Sequence, residues 1–141
     1  MKLKIIAIVL PALLSACTSV TVRPVEAENK LTHVCIEENP KVIVSDFVGV
    51  VEDEFQKHLI TTEIYRGATP RDCEYKLTYT ANQKWDFATY LVHAELNLYK
   101  GNLKVGYAEY HLRGGGGFSL MKWMGVRSKM APVIDELLEK V

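Results

Sequence analysis

The feature that most restricts the fold is a set of period-two runs between Tyr75 and Leu112. Tyr75, Leu77, Tyr79 and Ala81 alternate with Lys76, Thr78, Thr80 and Asn82. After a turn near Asp86, Tyr90, Val92, Ala94, Leu96 and Leu98 alternate with Thr89, His93, Glu95 and Asn97. Successive strand residues point to opposite faces, so this pattern predicts a sheet with one dry and one wet face. Gly101-Asn102 then signals a hairpin into a strand from about Leu103 to Leu112. A strict two-residue turn sets Leu98 opposite Val105 and Leu96 opposite Tyr107. The better apolar set, Ala108, Tyr110 and Leu112, has the other parity. Because a one-residue slip exchanges the faces, either a bulge near Tyr107, for which Gly106 is suited, or a longer loop is expected.

The flanks read differently. His33–Glu37 is a short apolar strand broken by Pro40, and a second follows Thr61, ending at Gly67. Between them Val44, Phe47, Val48, Val51, Phe55 and Leu59 recur at helical spacing, with Asp46, Glu52, Asp53 and Glu54 on the other side. A helix over about 42–59 is predicted, starting near Ser45 or Asp46. Its valines have weak helix propensity, so a sheet must support it. A second stripe, Met130, Ile134, Leu137, Leu138 and Val141, marks a final helix, with Pro132 placed in its first turn. The expected fold class is α+β: a mostly antiparallel sheet of about five strands with two helices on one face. The other face is expected to be wet, showing Lys76, Thr78, Thr80, His93, Glu95 and Asn97.

The first residues carry an address. Lys2 and Lys4 precede an apolar run, Ile5 to Leu14, that ends on Ser15, Ala16 and Cys17. Such a run is too short to span a bilayer, which takes about 20 residues, and it has the layout of a secretory leader. Leu14-Ser15-Ala16-Cys17 resembles the lipobox of bacterial lipoproteins. That resemblance implies a leader over 1–16, diacylglycerol on the Cys17 thiol, and an acylated (palmitate-type) N-terminus. Thr18 stands where an aspartate often retains lipoproteins in the inner membrane, which implies the outer membrane, with the domain facing the periplasm. Each buried methylene contributes about 0.8 kcal/mol, so several acyl chains make a permanent anchor rather than a switch. Residues 17–30, with Pro24 and no helical period, are expected to be a lipidated tether spanning at most about 45 Å. Residues 31–141 are expected to form a single domain.

Cys35 and Cys73 remain, an even number in an oxidising compartment. A disulfide is expected, with two free buried thiols as the alternative. His33 shares a strand face with Cys35, but His58, His93 and His111 are scattered without ligand spacing. No metal and no cofactor are expected. Loss of Lys2 and Lys4 with the leader takes the formal charge from zero to −2, which exerts no pull on phosphate backbones. Nucleic acid is not an expected partner.

Arg113-Gly114-Gly115-Gly116-Gly117, followed by Ser119, Lys122 and Trp123, is the least ordinary stretch. It offers a candidate anion loop, with Arg113 and Lys122 supplying charge to backbone amides. No Walker, dinucleotide-binding or hydrolase-elbow pattern surrounds it. The plainer reading is a connection between last strand and last helix. Trp85 and Trp123 read as core edges or as anchors for a partner, and the seven tyrosines suit strands. No spacing nominates a catalytic triad, and no enzyme activity is expected.

The stretches "CIEENPKV", "DCEYKLTYTA", "WDFATYL", "VGYAEYHLRGGGG" and "IDELLEKV" resemble a family of small lipoproteins of Gram-negative bacteria to which no activity is assigned. The resemblance implies a non-catalytic, membrane-anchored envelope lipoprotein, an accessory or interaction domain for a periplasmic protein partner. The alternative is a small-ligand or anion-binding module built on 114–117.

Overall fold

The computed structural model describes residues 18–141, so the leader and Cys17 lie outside the described residues. The element order is β1 (Thr18–Arg23), β2 (His33–Glu37), α1 (Phe47–Lys57), β3 (Thr61–Tyr65), β4 (Tyr75–Asp86), β5 (Ala88–Lys100), β6 (Leu103–Leu112) and α2 (Val126–Leu137). Short 3-10 turns cover Ala27–Asn29, Arg113–Gly116 and Leu120–Trp123. The six strands form one open sheet in the order β1-β6-β5-β4-β2-β3. β1, β6, β5 and β4 pair antiparallel, while β2 runs parallel to both β3 and β4. The fold is α+β as expected, with one strand more than the alternation indicated.

The additional strand corrects the tether. Thr18–Arg23 is not a free linker: Thr18 pairs with Leu112 and Arg23 with Tyr107 along the edge of β6. The Arg23 guanidinium donates to the Lys104 carbonyl at 3.0 Å, and the Val25 amide donates to the Leu137 carbonyl at 2.9 Å. Val25 is fully buried. The local signal was the β-branched run Thr18, Val20, Thr21, Val22, whose β preference needs an open neighbouring edge to be realised.

One core lies between the sheet and both helices. α1 contributes Phe47, Val50, Val51 and Phe55; α2 contributes Met130, Val133, Ile134 and Leu137. Opposite them stand Val34, Ile36, Leu77, Tyr79, Ala94, Leu96, Leu98, Ala108 and Tyr110. The parity conflict in the last hairpin is resolved by a bulge. Leu98 pairs with Gly106 and Tyr99 with Lys104, leaving Val105 as the extra residue. From there on Leu96 meets Ala108 and Ala94 meets Tyr110, which brings both apolar sets to one face. A second bulge lies between β4 and β5. Asn82 pairs with His93 but Gln83 with Leu91, so Val92 has no opposite residue. Leu91 and Tyr90 are both buried, and Val92 is only half-buried.

Three further expectations are corrected. α1 is shorter than 42–59, and Leu59 is exposed. The Ile60 amide donates to the Phe55 carbonyl and the Leu59 amide to that of Gln56. This is a Schellman termination, and it puts Leu59 at φ 60°, out of the apolar stripe. Glu54, expected in solvent, is buried. Arg127 of α2 and Lys57 donate to its carboxylate at 2.8 and 2.7 Å, and Arg127 also reaches Asp53 at 2.6 Å, so the acid clasps the two helices together. Pro132 lies inside α2, not in its first turn, because Gly125 caps the helix seven residues earlier.

Cys35 and Cys73 are joined in a disulfide with Cα atoms 5.9 Å apart. Cys35 is fully buried in β2 yet faces away from the helices, opposite in sense to Val34 and Ile36. The loop that carries Cys73 therefore covers part of the otherwise open sheet face.

Candidate functional site

Gly114, Gly115, Gly116 and Gly117 all have positive φ, between 49° and 83°, a run that side-chain-bearing residues adopt only with strain. Gly116 is buried, and a Cβ there would lie 2.7 Å from the Lys122 Cβ. The loop thus wraps the stem of Lys122. Lys122 does not point to an anion: it is buried, its ammonium pairs with Asp86 at 2.5 Å and donates to the Gly117 carbonyl at 3.2 Å, and it lies 4.5 Å from the Trp123 ring. Arg113 is exposed on the surface. Of the two cations nominated for an anion, Lys122 already has its counter-charge in Asp86.

What the loop does assemble is an apolar end. The Trp123 indole donates to the Asp86 carbonyl at 2.7 Å, which with the Lys122–Asp86 pair fastens the segment 118–123 to the β4–β5 hairpin tip. Around that fastening Trp85, Phe87, Phe118, Leu120 and Met121 face solvent, and the least exposed of them, Met121, keeps 62% of its surface open. Exposed apolar side chains clustered beside one another are unusual on a monomer and mark an interaction surface. Phe87 adds a second sign. It occupies the hairpin tip at φ 60°, a conformation costly for a bulky residue and favoured by glycine or asparagine. Its aromatic ring contributes nothing to the core that would offset this cost.

The first described residue, Thr18, belongs to the same end. β6 finishes at Leu112, directly before the glycines, and Thr18 is its partner there. β5 begins at the hairpin tip and runs antiparallel to β6, so the tip projects past Leu112 on that side. Thr18, the glycine loop and the hairpin tip therefore share one end of the sheet. Exposed Lys84 lies there too, with its ammonium 3.7 Å from where a Gly115 Cβ would be. Among the described residues no helix is long and apolar enough to cross a membrane.

Behind this end sits Lys129 of α2. It is buried without a carboxylate partner; its ammonium donates to the Leu91 carbonyl at 3.0 Å and to that of Lys122, between the Tyr90 and Tyr110 rings. Burial pulls its pKa down to about 8. The unfolded chain, at about 10.4, then binds the proton more tightly, so stability rises with pH between these values. Wild type is expected to gain stability from pH 8 to pH 10, by at most about 2 kcal/mol, and Lys129→Met to lose that slope, in urea unfolding at fixed ionic strength. Tyr110, held protonated by burial, and Tyr107, pushed up to about 12 chiefly by its bond to Glu109, oppose this only above about pH 10.

A shallow depression bounded by Glu38, Asn39, Lys41, Thr78 and Thr80 holds polar groups engaged with their surroundings. The Asn39 amide donates to the Tyr79 carbonyl at 2.9 Å, and Glu38 pairs with Arg66. It sets no nucleophile against a base.

No protein-family profile matches the chain, and no curated protein sequence matches it either. Among solved structures it is similar to the PelC dodecamer from Paraburkholderia phytofirmans, at 14% identity and a TM-score of 0.59, over 85% of this chain and 98% of that one. A point variant of the same PelC dodecamer matches at 13% identity and a TM-score of 0.57, over 86% of this chain and 96% of that one. At such identity the likeness establishes the α+β fold alone.

Proposed function

We propose that the protein is a non-catalytic lipoprotein of the outer membrane, tethered through acylated Cys17, whose apolar end lies against the bilayer while the remaining surface serves a periplasmic protein partner. The observation that carries this reading is the position of Thr18. The residue after Cys17 is part of the sheet, paired with Leu112 directly before the glycine loop that leads on to exposed Phe118, Leu120 and Met121. With no slack between anchor and domain, the lipid draws that end to the membrane surface. Tryptophan and phenylalanine favour the headgroup boundary, where the ring is partly dry, and Arg113 and Lys84 suit an anionic surface. The same contact accounts for an aromatic residue at the strained tip position 87.

Two linked measurements test the proposal. Labelled palmitate is expected in the wild-type chain and not in Cys17→Ser. In vesicles of phosphatidylcholine brominated near the headgroup, lipidated protein carrying Trp123→Phe is expected to show quenched Trp85 fluorescence. An unlabelled wild type removes the anchor from the reading. A labelled protein with unquenched Trp85 removes the apposition.

A further inference from the structure

The open sheet face carries a group of residues that the anchor reading does not use. Across β5 and β6, His93 pairs with His111, Glu95 with Glu109, and Asn97 with Tyr107. Residues two apart on a strand share a face, and Ala94, Leu96, Ala108 and Tyr110 take the helix side, so all six lie on the side away from the helices. One nitrogen of His93 and one carboxylate oxygen each of Glu95 and Glu109 lie within 4.8 Å of one another. The His111 ring stands edge-on to His93 with centroids 5.7 Å apart.

We propose that His93, Glu95 and Glu109 bind a divalent transition-metal ion of the zinc class, with His111 as the fourth ligand. Two observations point to a ligand beyond the cluster itself. Asn97 is only 8% exposed, its amide nitrogen donates to Glu95 at 2.9 Å, and its buried carbonyl oxygen has no partner among the described residues. That orphaned acceptor belongs to the residue that holds Glu95, and a water bound to an ion is a donor that would satisfy it. In addition, two glutamates stand directly opposite each other on neighbouring strands, an arrangement that destabilises a sheet when both are charged. Among the described residues neither has an ion-pair partner. A divalent ion turns that repulsion into ligation.

The supporting groups are those of a metal site. The Tyr107 hydroxyl donates to Glu109 and the Asn97 amide to Glu95, so each carboxylate is oriented by a residue two positions along a strand. Zinc bonds to nitrogen and oxygen near 2.1 Å set ligand atoms roughly 3.4 Å apart, against at most 4.8 Å between the His93, Glu95 and Glu109 ligand atoms here. Two imidazoles with two carboxylates are a borderline-hard set, suited to zinc, manganese or iron over copper(I). The other group with metal-ligating residues, His33, Cys35 and Glu63, is not equivalent, because Cys35 is consumed in the disulfide.

The test uses full-length lipidated protein in detergent, stripped with chelator and titrated with zinc chloride by calorimetry. One equivalent is expected to bind with micromolar or tighter affinity, and to raise the melting temperature. Glu109→Gln and His93→Asn are each expected to weaken binding by at least ~10-fold. Without zinc, Glu109→Gln is expected to melt above wild type, because the facing charges are gone; Glu95→Gln provides the same readout should either of the others fail to fold. Cobalt(II) in place of zinc is expected to give an absorption band that is lost in the variants. Absence of saturable binding up to ~100 µM zinc overturns the proposal. Binding of unchanged affinity in the His93→Asn, Glu109→Gln double variant also overturns it, since the ion then sits at a surface pair such as His58–Asp135.

Discussion

Replacing both Cys35 and Cys73 with alanine is expected to lower stability by about 4 kcal/mol. The bridge closes a loop of 38 residues that contains all of α1 and β3. In the unfolded chain it removes the freedom of that loop, and the chain-entropy relation for this length gives nearly the whole figure. The native contribution adds to it. β2 pairs with β3 and β4 through short parallel ladders, with only Cys35–Lys76 and Ile36–Leu77 joining it to β4. Cys35 is buried on the open face by the loop it is bonded to. Loss of the bridge frees that loop and uncovers the open face of β2, next to the sheet edge. Guanidinium unfolding of the oxidised wild type against the double variant measures the difference. Reduced wild type is expected to fall near the variant, and equal midpoints would remove the stabilising role.

Gly106→Ala is expected to cost about 2–3 kcal/mol. The glycine is not needed for an unusual φ. It is needed because the edge of β6 approaches the chain segment after β1 and the end of α2. A Cβ at this position would lie 2.7 Å from the Val25 Cγ2 and 3.1 Å from the Leu137 Cδ1, both buried. The strand bulges at Val105 next to it, so movement of the backbone outward would shift the register that aligns Leu96 with Ala108. Val25→Ala in the same chain is expected to recover part of the loss by clearing the nearer contact. The urea midpoint of the two single variants and the double variant tests this. If Gly106→Ala unfolds at the wild-type midpoint, the close packing of β1 onto α2 is not what holds that end of the sheet.

Both effects separate what local pattern conveys from what it does not. The helical stripes through Phe47, Val51 and Phe55 and through Met130, Ile134 and Leu137 were legible because a helix sorts its own side chains every 3.6 residues. The alternation from Tyr75 to Ala81 was legible for the same reason, with period two. The conflict between Leu98 and Ala108 already required an irregularity, and the bulge at Val105 supplies it. Val92 carried no such warning, since either parity in β5 offers an apolar residue, Leu91 or Val92, and only the pairing with Gln83 chose Leu91. The acidic helix neighbours of Glu54 imply a solvated side chain. Its burial depends on Arg127, 73 residues away, and no local pattern reports that pairing.

The candidate sites divide in the same manner. Arg113, the four glycines and Lys122 stood out in the sequence as a loop with charge, yet Asp86 at the hairpin tip takes Lys122 and turns the loop into a support for exposed Phe118 and Leu120. His93 and His111 looked scattered because 18 positions in sequence separate them, while the β5–β6 register puts them face to face.

The sequence by itself determined the α+β class, the two amphipathic helices, the wet and dry faces of the central strands and the oxidised cysteine pair, all of which follow from side-chain period or residue type. Tertiary structure alone decided that residues 18–23 close the sheet edge, that an apolar end gathers beside them, and that two histidines and two glutamates meet on the open face. These depend on strand register, which is set by contacts between residues distant in the chain, and a change of one residue in that register would send every one of those side chains to the other side.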